Sequence, residues 1–155
     1  MEIQLRRVNL KDLEFIFNLR NEESVRLASF NSDPISLETH QNWLERKLAG
    51  SDSVLFIAEE DSRSIAQVRF DWINTAEAEV SVAVTEKFQG RGYGSEILKK
   101  SSAEFFKEFP NCAKIYAFIK PDNKASVRSF AKAGYQFQAE IEHKGQISVE
   151  MIMTR

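Results

Sequence analysis

Half of the chain's six glycines fall in one stretch, Gln89-Gly90-Arg91-Gly92-Tyr93-Gly94, separated by four residues from the alternating apolar segment before it. In that segment, Glu77 to Val84, extended geometry puts Val80, Val82 and Val84 on one side and Glu79, Ser81 and Ala83 on the other. From Gly94 to Lys107 the apolar residues Ile97, Leu98, Phe105 and Phe106 recur at helical spacing, and Pro110 closes the run. The junction therefore reads strand, glycine turn, helix. Backbone N–H groups at such a helix start lack an intrahelical acceptor, and the helix end carries positive potential, so the turn suits a phosphate. Glycines at alternate positions let the backbone approach a diphosphate without Cβ interference. Arg91 can add a charge-assisted contact.

Three known patterns compete for this turn. The dinucleotide pattern G-x-G-x-x-G needs a glycine where Ser95 stands, and the phosphate-loop pattern needs a lysine that is absent. Arg91-Gly92-Tyr93-Gly94 matches the opening of an RNA-recognition signature, yet Ser95-Glu96-Ile97-Leu98 follows in place of its aromatics. A glycine-rich connection that holds no ligand remains open at this point.

The flanking sequence sets the architecture. Ile3, Leu5 and Val8 mark a short first strand, after which Asn9 predicts a helix N-cap with Asp12 three residues on. Glu22 to Phe30 reads as a short helix and loop, and Ser36 caps a helix that Gly50 ends. Ser53 to Glu60 and Ser64 to Trp72 are strands joined at Asp61-Ser62-Arg63. Beyond the glycine turn come a strand Ala113 to Ile119, a helix Asn123 to Ala133 stopped by Gly134, and a hairpin. Its arms are Tyr135 to Ile141 and Ile147 to Met153, with His143-Lys144-Gly145 as the turn. This order predicts an α/β (α+β) domain spanning 1–155, with a mixed, mostly antiparallel sheet of about seven strands and helices on both faces.

Composition narrows the class. With 21 basic and 23 acidic residues, the net charge of -2 supplies no bulk attraction for nucleic acid or an anionic membrane. MEIQLRRVNL has no apolar core of signal-peptide length, and no apolar run is long enough to span a bilayer. Cys112 is the only cysteine, so no intrachain disulfide forms, and His40 and His143 are far apart. We expect a cytoplasmic protein with no metal, and Cys112 as a buried hydrophobe. A homodimer stays open.

Gln89-Gly90-Arg91-Gly92-Tyr93-Gly94 resembles the Q/R-x-x-G-x-G/A motif of the GCN5-related N-acetyltransferase (GNAT) family, placed after a strand as in that family. A second block is also similar: Ile115-Tyr116-Ala117-Phe118-Ile119, then Asn123 and Ser126, then Phe130 with Gly134-Tyr135. The resemblance covers nearly the whole chain and implies a GNAT fold that uses acetyl-CoA as acyl donor. It implies that the coenzyme's diphosphate rests on Gln89, Gly90, Arg91, Gly92, Tyr93, Gly94 and Ser95. The pantetheine arm would pair along Val82, Ala83 and Val84, lined by Asn123, Ser126 and Phe130.

The resemblance further implies direct attack of a neutral amine on the thioester, with a backbone N–H near Val82 for the developing oxyanion. Glu79 and Ser81 are the polar candidates on that strand; Glu79 can take the proton through water and Ser81 can position that water. Many relatives place a tyrosine where this chain has Phe130. Protonation of the departing thiolate is then left to water, to Ser126, or to no acid at all.

Leu19-Arg20-Asn21-Glu22, Val25-Arg26, Ser29-Phe30-Asn31-Ser32, His40, Trp43 and Gln67-Val68-Arg69-Phe70-Asp71 resemble the subgroup that acetylates nucleotide-linked amino sugars for pseudaminic acid. That implies a UDP-4-amino sugar as acceptor, with Arg20, Arg26 or Arg69 for the diphosphate and Trp43 or Phe30 for a ring. His40 either contacts substrate or packs. Two rival readings are a protein N-terminal or ribosomal-protein acetyltransferase and a silent acyl-CoA sensor. The third is an RNA-binding module, which the net charge disfavours.

Overall fold

The computed structural model describes Met1–Arg155, and its seven strands form one sheet in the order β1-β2-β3-β4-β5-β7-β6. The strands are β1 (Gln4–Arg7), β2 (Ser53–Glu60), β3 (Arg63–Trp72), β4 (Glu77–Val84), β5 (Lys114–Ile119), β6 (Gln136–His143) and β7 (Gln146–Thr154). Helices are α1 (Leu13–Asn21), α2 (Glu23–Ala28), α3 (Leu37–Ala49), α4 (Tyr93–Glu108) and α5 (Lys124–Ala133). Every neighbouring pair is antiparallel except β4 with β5. The mixed, mostly antiparallel sheet with helices on both faces is as the sequence predicts.

Local signals act where expected, with shifts that have causes. Asn9 and Asp12 form a reciprocal capping box, but around a short 3₁₀ turn, Leu10–Asp12, that precedes α1. Arg6 is the reason: its guanidinium grips both carboxylate oxygens of Asp12 at 2.7 and 2.9 Å and fixes that turn against β1. Ser36 caps α3 by accepting from the Thr39 amide at 3.2 Å. The β2–β3 turn uses Asp61 and Ser62 at φ 51° and 65°, so β3 starts at Arg63. The β6–β7 turn is Lys144-Gly145, at φ 51° and 77°, and not the expected His143-Lys144-Gly145. A two-residue turn of this kind matches the strand twist, and it leaves His143 inside β6.

The two faces of the sheet are covered unequally. Under α4 and α5, 25 buried residues form the main core, including Phe70 stacked on Phe105 at 4.3 Å and Ile97, Leu98, Ile115 and Met151. Cys112 lies in it, 1% exposed, as the expected small hydrophobe. On the other face, α1 and α3 rest on five buried residues: Val8, Ile16, Leu44, Leu55 and Ile57. Burial at about 25 cal/mol per Å² makes the first layer the main source of stability. The thinner layer leaves room beside β3 and β4. No helix is long and apolar enough to cross a membrane.

Candidate active site

The parallel pair β4–β5 holds for only three register pairs, Glu77 with Lys114, Ala78 with Ile115 and Glu79 with Tyr116. Beyond Glu79 the strands part, so Val80–Val84 has no ladder partner on that side. Where they part lies a cleft of about 1040 Å³. It runs from the glycine turn, past β4 and α5, to α1 and α3. A splayed strand next to a free glycine turn is the frame on which the site is built.

At the turn the backbone does the work. Gly90 and Gly92 both take left-handed backbone, φ 71° and 84°. Gly92 is the N-cap of α4. The amides of Gly90, Arg91, Gly92, Tyr93, Gly94 and Ser95 donate to no group of the protein; the first amide of the helix to find one is Glu96, which bonds Gly92 O at 3.4 Å. Alternating left-handed residues turn consecutive N–H groups towards one point, which makes a concave anion site. A Cβ on Gly94 would meet Ser129 Oγ at 3.4 Å, so glycine here also lets α4 and α5 approach. These groups fit a diphosphate.

The sequence-predicted coenzyme residues separate by what their side chains do. Val82, Ala83, Val84, Gln89, Gly90, Gly92, Gly94, Ser95, Asn123, Ser126 and Phe130 all line the cleft. Arg91 and Tyr93 do not. Tyr93 is buried with its hydroxyl donating to the Glu60 carboxylate at 2.7 Å. Arg91 lies over the rings of Phe88 and Tyr93 at 5.4 and 5.5 Å and donates to Lys87 O. What these two leave at the turn is an unpartnered backbone amide each. Gln89 Nε2 donates to Val84 O at 2.8 Å, which leaves strand addition to the groups of β4 before that carbonyl. Asn123 caps α5 by accepting from the Ser126 amide at 3.2 Å.

Phe130 is 3% exposed and sits edge-on to Tyr135 at 5.1 Å. None of the chain's three tyrosines lines the cleft. Tyr135 shares a hydrogen bond with Ser102 at 2.7 Å in the core, and burial drives its phenol well above the usual range. Tyr116 donates to Glu77 at 2.8 Å. The only hydroxyls beside Phe130 on α5 that line the cleft are Ser126 and Ser129.

Glu79 and Ser81 line the cleft, next to Asp71 and Arg69 of β3. Glu79 has a neighbour that sequence reasoning missed. His143 Nε2 lies 3.2 Å from Glu79 Oε1, close but without hydrogen-bond alignment. The imidazole is stacked on Phe118 at 3.8 Å and 9°, with Phe30 edge-on at 5.3 Å. Reading His143 as part of the hairpin turn hid this. The signal that would have found it is Lys144-Gly145, a two-residue turn signature that extends β6 by two residues, to His143.

At the far end, Arg20, Phe30, His40, Trp43 and Arg69 come together on the cleft wall, and Arg26 does not. Arg26 instead ties the loop after α2, donating to Asn21 O at 3.2 Å and Ser32 O at 3.3 Å. Trp43 is half-buried, its ring 5.2 Å from His40 and 5.3 Å from the Arg69 guanidinium. His40 is 4% exposed; burial, then the charges of Arg20 and Arg69, lower its imidazole to about 4. Asp71 is bound by Arg69 Nε at 2.7 Å, by Lys47 Nζ at 3.3 Å and by Ser53. Burial opposes its charge, but Arg69, Ser53 and Lys47 outweigh that and hold the carboxyl below its usual range. No group of three or more metal-ligating side chains is present.

Comparison with known proteins gives a consistent result. A family model described as an acetyltransferase (GNAT) domain matches residues 2–136. YwnH of Bacillus subtilis (strain 168), assigned as a phosphinothricin acetyltransferase, is 26% identical over 144 residues, covering 84% of this chain and 82% of YwnH. A spermidine N-acetyltransferase from Vibrio cholerae, solved with CoA and spermine, superposes with a TM-score of 0.87 at 21% identity, covering 98% of this chain and 95% of that one. An aminoglycoside acetyltransferase solved with coenzyme A and kanamycin gives 0.86 at 19% identity, covering 99% and 95%. At those identities the structural likeness speaks to the fold.

Proposed function

The chain belongs to the acetyltransferase (GNAT) domain family, and from that membership we propose that it transfers the acetyl group of acetyl-CoA to the amine of a nucleotide-linked amino sugar. The observation that carries the transfer reading is the run of unpartnered amides from Gly90 to Ser95 at the mouth of a splayed β4–β5 pair. When bound there, acetyl-CoA supplies an activated acetyl thioester. The turn holds the diphosphate, and the open side of β4 accepts the amide-bearing arm by strand addition. Asn123 and Ser126 flank that arm.

The chain's own residues then manage protons. An acceptor ammonium must lose one proton before its nitrogen can form the new N–C bond, and Glu79 is placed to take it through water beside Ser81. His143 lies against the Glu79 carboxylate and restricts its orientation. A backbone N–H of β4 near Val82 is free to donate to developing negative charge. As the C–S bond breaks, the new amide nitrogen sheds its second proton, and water or Ser126 relays that proton to the departing thiolate, since no tyrosine reaches it. A thiol of ordinary pKa, about 8.5, leaves well enough without a strong acid.

Support for the amino-sugar acceptor comes from the other half of the cleft. Trp43 and Phe30 offer ring faces or edges to a base or sugar, and Arg20 and Arg69 offer charge to a diphosphate. A thiol-release screen with acetyl-CoA tests this directly. UDP-4-amino sugars should release free thiol, whereas polyamines and peptides with free N-termini should not. Release with peptides or polyamines alone overturns the acceptor assignment, and coenzyme binding without release on any amine leaves an acyl-CoA sensor.

A further inference from the structure

Five buried side-chain nitrogens have no hydrogen-bond partner in the protein: Arg20 Nη1, His40 Nδ1 and Nε2, Gln67 Nε2 and His143 Nε2. Four of them belong to Arg20, His40 and Gln67, which line the acceptor half of the cleft. An unsatisfied buried donor costs about 1–3 kcal/mol, so a protein that gathers several in one cleft wall leaves them for a ligand. Their chemistry defines that ligand. An amide NH₂ and a guanidinium are pure donors, and a neutral imidazole supplies one more N–H.

Charge points the same way. Arg20 is already anchored through Nη2 to Asn31 O at 2.8 Å, which leaves Nη1 unspent. Burial, then the like charges of Arg26 and Arg69, work against the Arg20 guanidinium and outweigh the opposing charge of Asp33, and no carboxylate forms an ion pair with Arg20. The one carboxylate on that stretch of β3, Asp71, is fully engaged by Arg69, Lys47 and Ser53. The corner is also close to the chemistry. Gln67 pairs with Ala83 and Arg69 with Ser81, one strand spacing (about 4.8 Å) from the face that carries Glu79.

We propose that Arg20, Gln67 and His40 form an oxyanion subsite, with Arg69 behind it, that binds a phosphate or carboxylate carried by the acceptor molecule itself. The subsite rests on the acetyl-transfer reading and says what the acceptor must carry besides its amine. It is separate from the glycine turn that takes the coenzyme's diphosphate, and it lies at the opposite end of the cleft. A polycation would set ammonium groups against arginines there, so this chain differs in acceptor charge from the spermidine acetyltransferase whose fold it shares.

The test is isothermal titration of the full chain saturated with coenzyme A, so that the glycine turn is filled. Inorganic pyrophosphate and succinate are the probes, separating phosphate from carboxylate chemistry, and spermidine is the cationic counter-probe. One of the two anions should bind with one equivalent, and Arg20→Gln and Gln67→Leu should each weaken it at least tenfold. Arg46→Gln, on the exposed side of α3, should not. Gln67→Leu carries the test alone if Arg20→Gln fails to fold. Absence of binding by both anions, binding unchanged in the two variants, or tighter binding of spermidine overturns the proposal. Failure to bind coenzyme A would sink the acetyl-transfer reading instead, and the same variants titrated with the anions alone would still decide the subsite.

Discussion

The two ends of the cleft are made of different material. At the glycine turn the proposed binding groups are six consecutive backbone amides, Gly90 to Ser95, and the side chains of Arg91 and Tyr93 are engaged elsewhere. At the acceptor end they are side chains from α1, α3 and β3, gathered from Arg20, His40, Trp43, Gln67 and Arg69. A backbone site depends on conformation and tolerates most changes of side chain. A side-chain site depends on identity, so exchanging one side chain changes what it can bind. One end therefore fixes the donor, and the other is free to set the acceptor.

The largest effect should come from breaking the backbone end. Gly92 has φ 84°, and a Cβ there would meet only Met1 Cε at 3.8 Å, so space is not the constraint. A β-branched residue resists that left-handed conformation at a cost of about 1–2 kcal/mol, and the turn relaxes instead. Gly92→Val should lower coenzyme affinity by at least about 100-fold by calorimetry, while denaturant unfolding shows no more than about 2 kcal/mol of lost stability. Wild-type affinity in that variant would remove the anion-cradle assignment.

Next in size is the proposed proton acceptor, Glu79, between the two ends. Glu79→Gln keeps the shape of the side chain and removes its basicity, so kcat should fall by roughly 100- to 1000-fold with coenzyme affinity unchanged. His143 acts through Glu79, and its removal should cost less. His143→Phe keeps the stack on Phe118 but removes the polar ring edge 3.2 Å from Glu79 Oε1, and kcat should drop about tenfold. His143→Gln, which restores a donor, should recover part of the loss. If the Phe and Gln variants behave alike, His143 serves only to pack.

The contrast between the ends also explains what the sequence could tell. Glycine at 90 and 92 is demanded by positive φ, and that demand is local, so the anion site was readable as a contiguous string. Element order was readable for the same reason: caps such as Ser36 and stops such as Gly134 act within a few residues. Arg91 shows the limit of that reading. Charge next to a phosphate turn suggests a contact, but Phe88 and Tyr93 offer the guanidinium two aromatic faces nearer at hand. Arg26 shows the same limit, since nearby carbonyls at the end of α1 and beyond α2 claim it first. The Glu79–His143 contact spans 64 residues and depends on where a hairpin turns, so a shift of one residue hid it.

The smallest expected effect is a pH signature of the acceptor end. His40 is buried between Arg20 and Arg69 and titrates near 4, below the ordinary 6.5. Between those values the unfolded chain binds a proton at this residue and the folded chain does not, so stability falls as pH drops from about 6.5 towards 4. Urea unfolding at pH 7 and pH 5 should show a loss of about 1–2 kcal/mol that His40→Leu lacks. Every other side chain is common to the two proteins, so the difference between them isolates His40. An oxyanion bound at Arg20 and Gln67 would favour the protonated imidazole, and saturating pyrophosphate should therefore flatten this slope. A slope that is equal in wild type and variant would mean that neither burial nor the arginines hold the His40 imidazole neutral, and the contrast between the two ends would lose its clearest solution signal.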